Sequence, residues 1–372
     1  MSSLPVQSDP AEERYLLCSR KDGTGARLAN LLWTWRLARN AGLRTLCFWP
    51  PMDPVHGKSR GSGDIFDLYA LAAGSIRQEL AILDGRPNDF VRGRIVDLEK
   101  LPEVKAAELA VTAEGARARG GGAAVIETGV PILGPDEDEA AALDEVRALF
   151  ARLPINRAVL AGVKAVDREL RLGAMMAVHV RRGDIVKTLR TACKTFTPEA
   201  PDPNSELTRY TDHFLRCCPP PDSYFRIMRE YRARRWRMLF FSDSADAAEP
   251  FVRRFGPEIV LARDLIPEGL EGVQRAFFEL MLMSRCRAII GAKSLFSRVA
   301  TMIGAPRFID ARRAARPEEL AKVYTQAVRY AALRPEVREA VGAVFKSSIE
   351  KMGYDEIWDG GEVDIPRLLE DA

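Results

Sequence analysis

Among its six cysteines (Cys18, Cys47, Cys193, Cys217, Cys218 and Cys286) this chain has no C-x-x-C pair, and only Cys217 and Cys218 are neighbours. That scatter excludes a zinc-ribbon spacing and a disulfide framework, and it reads as reduced thiols. No stretch approaches about 18 uninterrupted apolar residues, so a membrane span is not expected. Neither sign of charge dominates: 55 Lys and Arg stand against 52 Asp and Glu, a net of +3. A nucleic-acid partner normally shows as a basic domain or stripe, so none is expected here. The dinucleotide fingerprint G-x-G-x-x-G is also missing, because the turn Gly23-Thr24-Gly25 would need a glycine where Leu28 stands. Asp9, Glu12 and Glu13 precede the first apolar run, which does not fit a signal peptide. The expected location is therefore cytoplasmic.

What is present is a soluble globular composition, 47% apolar and 29% charged. At 372 residues the chain exceeds one ordinary core, and two domains of roughly 150 to 200 residues are expected. The midpoint holds the most informative stretch, Met175-Met176-Ala177-Val178-His179-Val180-Arg181-Arg182-Gly183-Asp184. Its apolar run has the length and flanks of a buried parallel strand, and Gly183 ends it. Open α/β sheets place ligands at the carboxyl ends of such strands. Arg181 and Arg182 point to opposite faces if the pleat continues, so one of them reaches the ligand. His179, inside the strand, must find a hydrogen-bond partner or a ligand.

In the N-terminal half, Tyr15–Cys18 reads as a strand and Lys21-Asp22-Gly23-Thr24-Gly25 as a glycine turn. A helix follows with Leu28, Leu31, Leu32 and Trp35 on one stripe. Gly42 stops it, and Leu43–Trp49 forms the next strand, which makes a βαβ unit. The two glycines serve the tight turn or let backbone approach a ligand, with Lys21, Asp22, Arg27 and Asn30 as polar groups. Residues 53–64 read as a loop containing His56, and a helix is expected near Ile65–Leu83. Strands are expected near Phe90–Leu98 and Ala123–Glu127. The acidic run Asp136-Glu137-Asp138-Glu139 reads as a helix start, favoured by the helix dipole, rather than a metal site. Arg157–Leu170 is the next helix.

In the C-terminal half, residues 187–221 read as a long polar insertion without periodicity. His213 and Cys217-Cys218 lie in it without a partner at ligand spacing. Asp222 is a candidate N-cap for a helix to about Arg234. The strand Met238-Leu239-Phe240-Phe241 delivers Ser242-Asp243-Ser244 at its carboxyl end, where Asp243 either caps the following helix or reads a nucleotide. Val273–Cys286 is a helix with its Met and Phe residues in the core. Ala288–Gly291 is a strand, and Lys293-Ser294-Leu295-Phe296-Ser297-Arg298 opens a helix whose N-terminus is a possible anion site. A last strand at Phe308-Ile309 and helices at 317–333 and 335–351 complete the chain.

Three of these pieces resemble, in the same order, the GDP-fucose-dependent fucosyltransferases of the α1,2, α1,6 and protein-O-fucosyl superfamily. His179-Val180-Arg181-Arg182-Gly183-Asp184 is similar to their H-x-R-R-G-D peptide and Phe241-Ser242-Asp243 to their F-S-D segment. Cys286…Gly291-Ala292-Lys293-Ser294-Leu295-Phe296-Ser297 looks like the segment that closes their donor pocket. The turn Gly23-Thr24-Gly25-Ala26-Arg27-Leu28-Ala29-Asn30 resembles their G-x-G-N-R/Q-L/M turn. Ala26 stands where many members have Asn, and Lys293 where a small residue is common.

The resemblance implies a GT-B-like α/β fold, two Rossmann-like domains facing across a cleft with the nucleotide on the C-terminal one. The expected division is an acceptor-side domain over 1–172, a nucleotide-sugar domain over 173–316, and closing helices over 317–372. The implied activity is carbohydrate biosynthesis: transfer of fucose from GDP-fucose to a hydroxyl of a sugar or glycoconjugate, with inversion. Arg181 would carry the departing pyrophosphate. His179, Arg182, Gly183, Ser242, Asp243, Ser294, Phe296 and Ser297 would hold the donor. Gly23, Gly25, Arg27 and Asn30 would line the acceptor side. Asp22 and Asp184 are both candidates for the general base. No metal and no cofactor beyond the GDP-sugar substrate are expected, since two arginines and a helix dipole supply positive charge and no isolated D-x-D sits in a donor-side loop. Alternatives are a GT-B transferase using another nucleotide sugar, or a non-catalytic nucleotide-sugar-binding protein of this fold.

Overall fold

The structure is a computed structural model; it describes residues 15–20, 22–49, 51–53, 57–58, 61–84, 98–100, 123–126, 131–133, 136–197, 205–232, 236–292 and 294–351. The chain divides into two compact units. One comprises residues 1–169, 266–284 and 298–305; the other comprises 170–265, 285–297 and 306–372.

The first unit is built on a five-stranded sheet of β1 (Tyr15–Cys18), β2 (Arg44–Trp49), β3 (Leu80–Asp84), β4 (Leu98–Lys100) and β5 (Ala123–Ile126), ordered β3-β2-β1-β5-β4. Every neighbouring pair is parallel. Helix α1 (Thr24–Asn40) connects β1 to β2. It is buried almost all round, Trp33 and Trp35 included, so the Leu stripe was only part of its packing surface. Its end is tied by Leu43 N–H donating to Ala38 O at 2.8 Å, with Gly42 at φ 68°. This is the left-handed closure that glycine permits.

The expected helix near Ile65–Leu83 is not formed. Helix α2 covers only Leu68–Ala73, a 3₁₀ turn takes Ser75–Gln78, and β3 follows. Gly74, extended at φ −83° and ψ 165°, breaks the helix there. The strand placed near Phe90–Leu98 falls largely outside the described residues, as do His56, Lys21 and Lys293. The acidic run does open a helix, α3 (Glu139–Arg152), where Asp138 Oδ1 accepts from Ala141 N–H at 2.8 Å. Helix α4 (Arg157–Leu170) follows as expected.

The second unit repeats the plan with β6 (Met176–Val180), β7 (Met238–Ser242), β8 (Ile259–Leu261), β9 (Ala288–Gly291) and β10 (Arg307–Asp310). They are ordered β8-β7-β6-β9-β10, again all parallel. Strand β6 is buried over all five residues, as its apolar run requires.

Residues 187–221 are not an aperiodic insertion. Helix α5 runs Gly183–Thr195 and α6 runs Glu206–Cys217, the latter capped by Ser205 accepting from Thr208 N–H. Leu207, Thr211, Phe214 and Leu215 form the buried face of α6. A threonine and a cysteine in core positions hid that stripe. Helix α7 (Pro221–Arg232) begins one residue before Asp222, which sits in its first turn instead of capping it.

Five more helices complete the described chain: α8 (Glu249–Phe255), α9 (Val273–Arg285), α10 (Leu295–Gly304), α11 (Pro317–Val328) and α12 (Pro335–Lys351). The units cut across the division expected at 172 and 316. Residues 266–284 and 298–305 group with the first unit, and 317–351 with the second. There α11 and α12 share one core with α5 and α6 through Leu189, Phe214, Tyr324 and Phe345.

Candidate functional site

In the second sheet the strand order reverses beside β6, with β7 on one side and β9 on the other. A crevice at such a reversal, outside the carboxyl ends, is where doubly wound sheets bind ligands. The residues delivered there are His179 near the end of β6 with Arg181–Asp184 after it, and Ala292 and Ser294–Ser297 after β9. The structure thus brings together the two peptides singled out in the sequence, 110 or so positions apart.

His179 is 7% exposed, and its Nδ1 is buried with no hydrogen-bond partner. Its ring lies 5.7 Å from that of Phe296, tilted by 39°. Burial, and then the nearby Arg181 charge, push its pKa down to about 3. The imidazole is therefore neutral at pH 7, and its orphan nitrogen is a polar group that a ligand could satisfy. Tyr224 fixes the strand there by donating its buried hydroxyl to His179 O at 3.1 Å.

Arg181 is half-buried and paired with Asp184, Nη2 to Oδ2 at 2.6 Å and Nε to Oδ1 at 3.3 Å. This side-on fork uses one edge of the guanidinium. The five N–H groups of arginine leave Nη1 and the second Nη2 hydrogen for another acceptor. Burial alone would raise the Asp184 pKa, but Arg181 and the Ile185 N–H hold the carboxyl below its ordinary range. Asp184 in this state is an anion that orients Arg181 and a weak proton acceptor.

Asp243, from the end of β7, accepts from both Arg182 N–H (2.8 Å) and Gly183 N–H (3.1 Å) through Oδ1. It does not cap the turn that follows it; through Oδ1 it clasps the β6–α5 turn. Ser244, not Asp243, precedes the 3₁₀ turn Ala245–Ala248. A Cβ at Gly183 would lie 3.1 Å from Asp243 O and 3.3 Å from its Oδ2, so the glycine lets the clasp close. Ser242 turns its Oγ to Ser244 N–H at 3.1 Å. The Arg182 side chain reaches Pro219 O at 3.4 Å, away from the Arg181 pair.

Across the reversal, Ser294 and Ser297 are buried at the start of α10. Ser294 Oγ accepts from Phe296 N–H at 3.3 Å, and Ser297 Oγ donates to Ser294 O at 3.2 Å and Ala292 O at 3.4 Å. The first-turn N–H groups of a helix and its dipole favour an anion at that end.

His213, Cys217 and Cys218, which the sequence offered no partner for, also belong here. Cys218 donates through Sγ to Arg181 O at 3.2 Å, and Cys217 Sγ sits 3.9 Å from His213 Nδ1. Burial pushes the Cys217 thiol up to about 11, so it is no nucleophile at neutral pH. Burial and the Arg181 charge lower the His213 pKa as well. The signal for this layer is the run Cys217-Cys218-Pro219-Pro220, in which the Cys218 thiol and the Pro219 carbonyl back the arginine turn.

The first unit places its own turn at the equivalent reversal, beside β1. Asp22 is half-exposed and paired with Arg20 at 2.7 Å. Arg27 is 3% exposed, donates through Nε to Asp22 O at 2.7 Å, and lies 5.7 Å over the Trp49 ring. Asn30 is buried and bonded to Thr34 Oγ1 at 3.5 Å, while Gly23 and Gly25 start α1.

Among the described residues no group of three His, Cys, Asp or Glu could hold a metal ion, and no helix is long and apolar enough to cross a membrane.

No family model and no curated protein sequence matches the chain. Among solved structures, the chain is similar to fucosyltransferase NodZ from Bradyrhizobium. It is 18% identical to that protein and covers 92% of it with 77% of its own length, at a TM-score of 0.41. For NodZ alpha-1,6-fucosyltransferase soaked with GDP-fucose the identity is 16%, the coverage 78% of this chain and 92% of that one, and the TM-score 0.44. For POFUT1 in complex with GDP-fucose the values are 11%, 81%, 98% and 0.48.

Proposed function

We propose that this protein is a glycosyltransferase that moves fucose from GDP-fucose to a hydroxyl of a sugar or glycoconjugate, with inversion and without a metal ion. The observation that carries the reading is Arg181, held side-on by Asp184 at the carboxyl end of β6, where the strand order reverses. The H-x-R-R-G-D peptide is the motif that resembles the GDP-fucose superfamily, and the place of its arginine at a strand's carboxyl end beside the reversal supports giving it the leaving diphosphate.

In this reaction the acceptor oxygen attacks the anomeric carbon on the face opposite the pyrophosphate, so the configuration inverts. Negative charge grows on the departing β-phosphate, and a prealigned cation lowers the barrier most when it is fixed before the charge appears. Arg181 fills that role with the guanidinium edge that Asp184 leaves open. The His179 Nδ1 supplies a polar contact to ribose or phosphate oxygen, and the α10 start with Ser294, Phe296 and Ser297 receives the diphosphate. The acceptor proton goes to a carboxylate. Asp184, ion-paired with Arg181, and Asp22, ion-paired with Arg20, are the two candidates. No residue named here reads the sugar ring, so the donor sugar rests on the motif.

The deciding experiment is to incubate the purified protein with a panel of GDP- and UDP-sugars, with and without chelator, and to follow nucleotide release. GDP release from GDP-fucose that survives chelation is the expected result. Release only from a UDP-sugar, or a thermal shift with GDP but no turnover of any donor, would replace this reading by one of its rivals.

A further inference from the structure

Helix α5 carries Lys187, Arg190 and Lys194 at i, i+3 and i+7, one stripe of like charge along its surface. Neighbouring like charges disfavour a helix, and a lysine in its N-terminal half is on the wrong side of the dipole. Only Lys194, in the last turn, is accounted for by the helix itself.

The stripe lines a cavity of about 610 Å³ within the second unit, which Asp246 and Gln326 also line. With Arg182, the lining holds four cations against the single carboxylate of Asp246. Arg190 is anchored by its Nε on Ala327 O at 2.6 Å, which sets its guanidinium in the wall. Lys187 and Lys194 are exposed, and no described carboxylate pairs with them. Val186, Pro250 and Val323 give the floor an apolar part. The volume is that of a site for an organic molecule rather than a bare ion.

We propose that this cavity is a second anion site, taking a small organic polyanion: a sugar-sized body that carries two or more phosphate, sulfate or carboxylate groups. Its anionic oxygens meet Lys187, Arg190 and Lys194, and its ring carbons lie on the apolar floor. The site is independent of the fucosyl-transfer reading, although Arg182 and Gly183 of the β6–α5 turn form one of its edges.

Two probes separate the sources of such a ligand: fructose 1,6-bisphosphate for phosphorylated metabolites, and a sulfated uronate disaccharide for acidic glycans. Calorimetric titration of the full chain in saturating GDP is expected to show binding of one of them. The Lys187→Ala/Lys194→Ala double variant should bind it about tenfold or more weakly, as loss of charge-assisted bonds requires. Asp246→Asn should bind it more tightly, a gain that misfolding does not produce. The proposal is overturned if neither probe binds, if the double variant binds like wild type, if Asp246→Asn does not tighten binding, or if GDP displaces the probe completely.

Discussion

Strands β1 and β6 hold the same place in their sheets, each beside the reversal of strand order, and each runs through a glycine turn into a helix. Their polar groups are used differently. After β1, Arg27 is buried against Trp49 of β2 and bonded to the Asp22 carbonyl, which ties α1 to its sheet and turn, and Asn30 is buried and bonded to Thr34 within the helix. After β6, the His179 Nδ1 is buried without a partner, and Arg181 is fixed along only one edge. A polar group left unsatisfied in a buried place costs stability and is kept where a ligand completes it. The same supersecondary unit thus has its polar groups engaged in one place and leaves a buried ring nitrogen and one guanidinium edge open in the other.

The comparison breaks most sharply at the two arginines. Arg181→Ala should lower turnover by on the order of 10²- to 10³-fold, the effect of removing one transition-state donor, with an unchanged denaturation midpoint. Steady-state rates near wild type would take the leaving-group role away from Arg181. Arg27→Ala should instead cost about 1–3 kcal/mol of stability by stranding a buried acceptor and emptying the space on Trp49. Urea unfolding measures it. A stable Arg27→Ala protein with lost activity would mean that the first turn also faces a substrate.

A smaller effect is expected from His179, whose folded pKa of about 3 lies below the ordinary 6.5. Between those values the unfolded chain binds a proton that the folded one does not. Stability therefore falls as pH drops below about 6.5, by up to about 1.4 kcal/mol per pH unit. His179→Gln should flatten that stretch of the curve, and comparing urea midpoints at pH 7 and near pH 4.5 tests it.

Asp184→Asn should raise the donor KM several-fold by freeing the Arg181 fork, with kcat held at saturating donor. A kcat collapse at saturating donor would instead make Asp184 the base. The smallest change is expected at Asp22→Ala, whose half-exposed pair with Arg20 is worth at most about 1 kcal/mol. A turnover loss without a change in midpoint would assign it the acceptor proton.

Much of the plan was legible in residue order. The apolar run into His179, the run into Ser242 and the run into Gly291 each became a buried parallel strand, because short apolar segments between turn signals have few other ways to hide. The motif peptides were visible as residue types. Residues 187–221 were misread because α6 buries Thr211 and Cys217 alongside its leucines, and a pattern that counts them as polar loses its period. The helix expected after Ile65 failed because Gly74 breaks it and Leu80–Asp84 pairs with β2 on the sheet, a tertiary gain that local propensity does not record.

The sequence by itself determined the strands that deliver the motif peptides, their turns and the charges, since these follow from periodicity and side-chain chemistry within a dozen residues. Only the tertiary structure decided that Asp243 clasps the Arg182–Gly183 backbone, that Asp184 fixes Arg181, and that Phe296 lies beside His179. The Asp243 and Phe296 contacts join positions far apart in the chain, and they exist because a parallel sheet lines up the carboxyl ends of strands separated in sequence by whole helices; the Arg181–Asp184 pair is local and needs only the turn that α5 imposes.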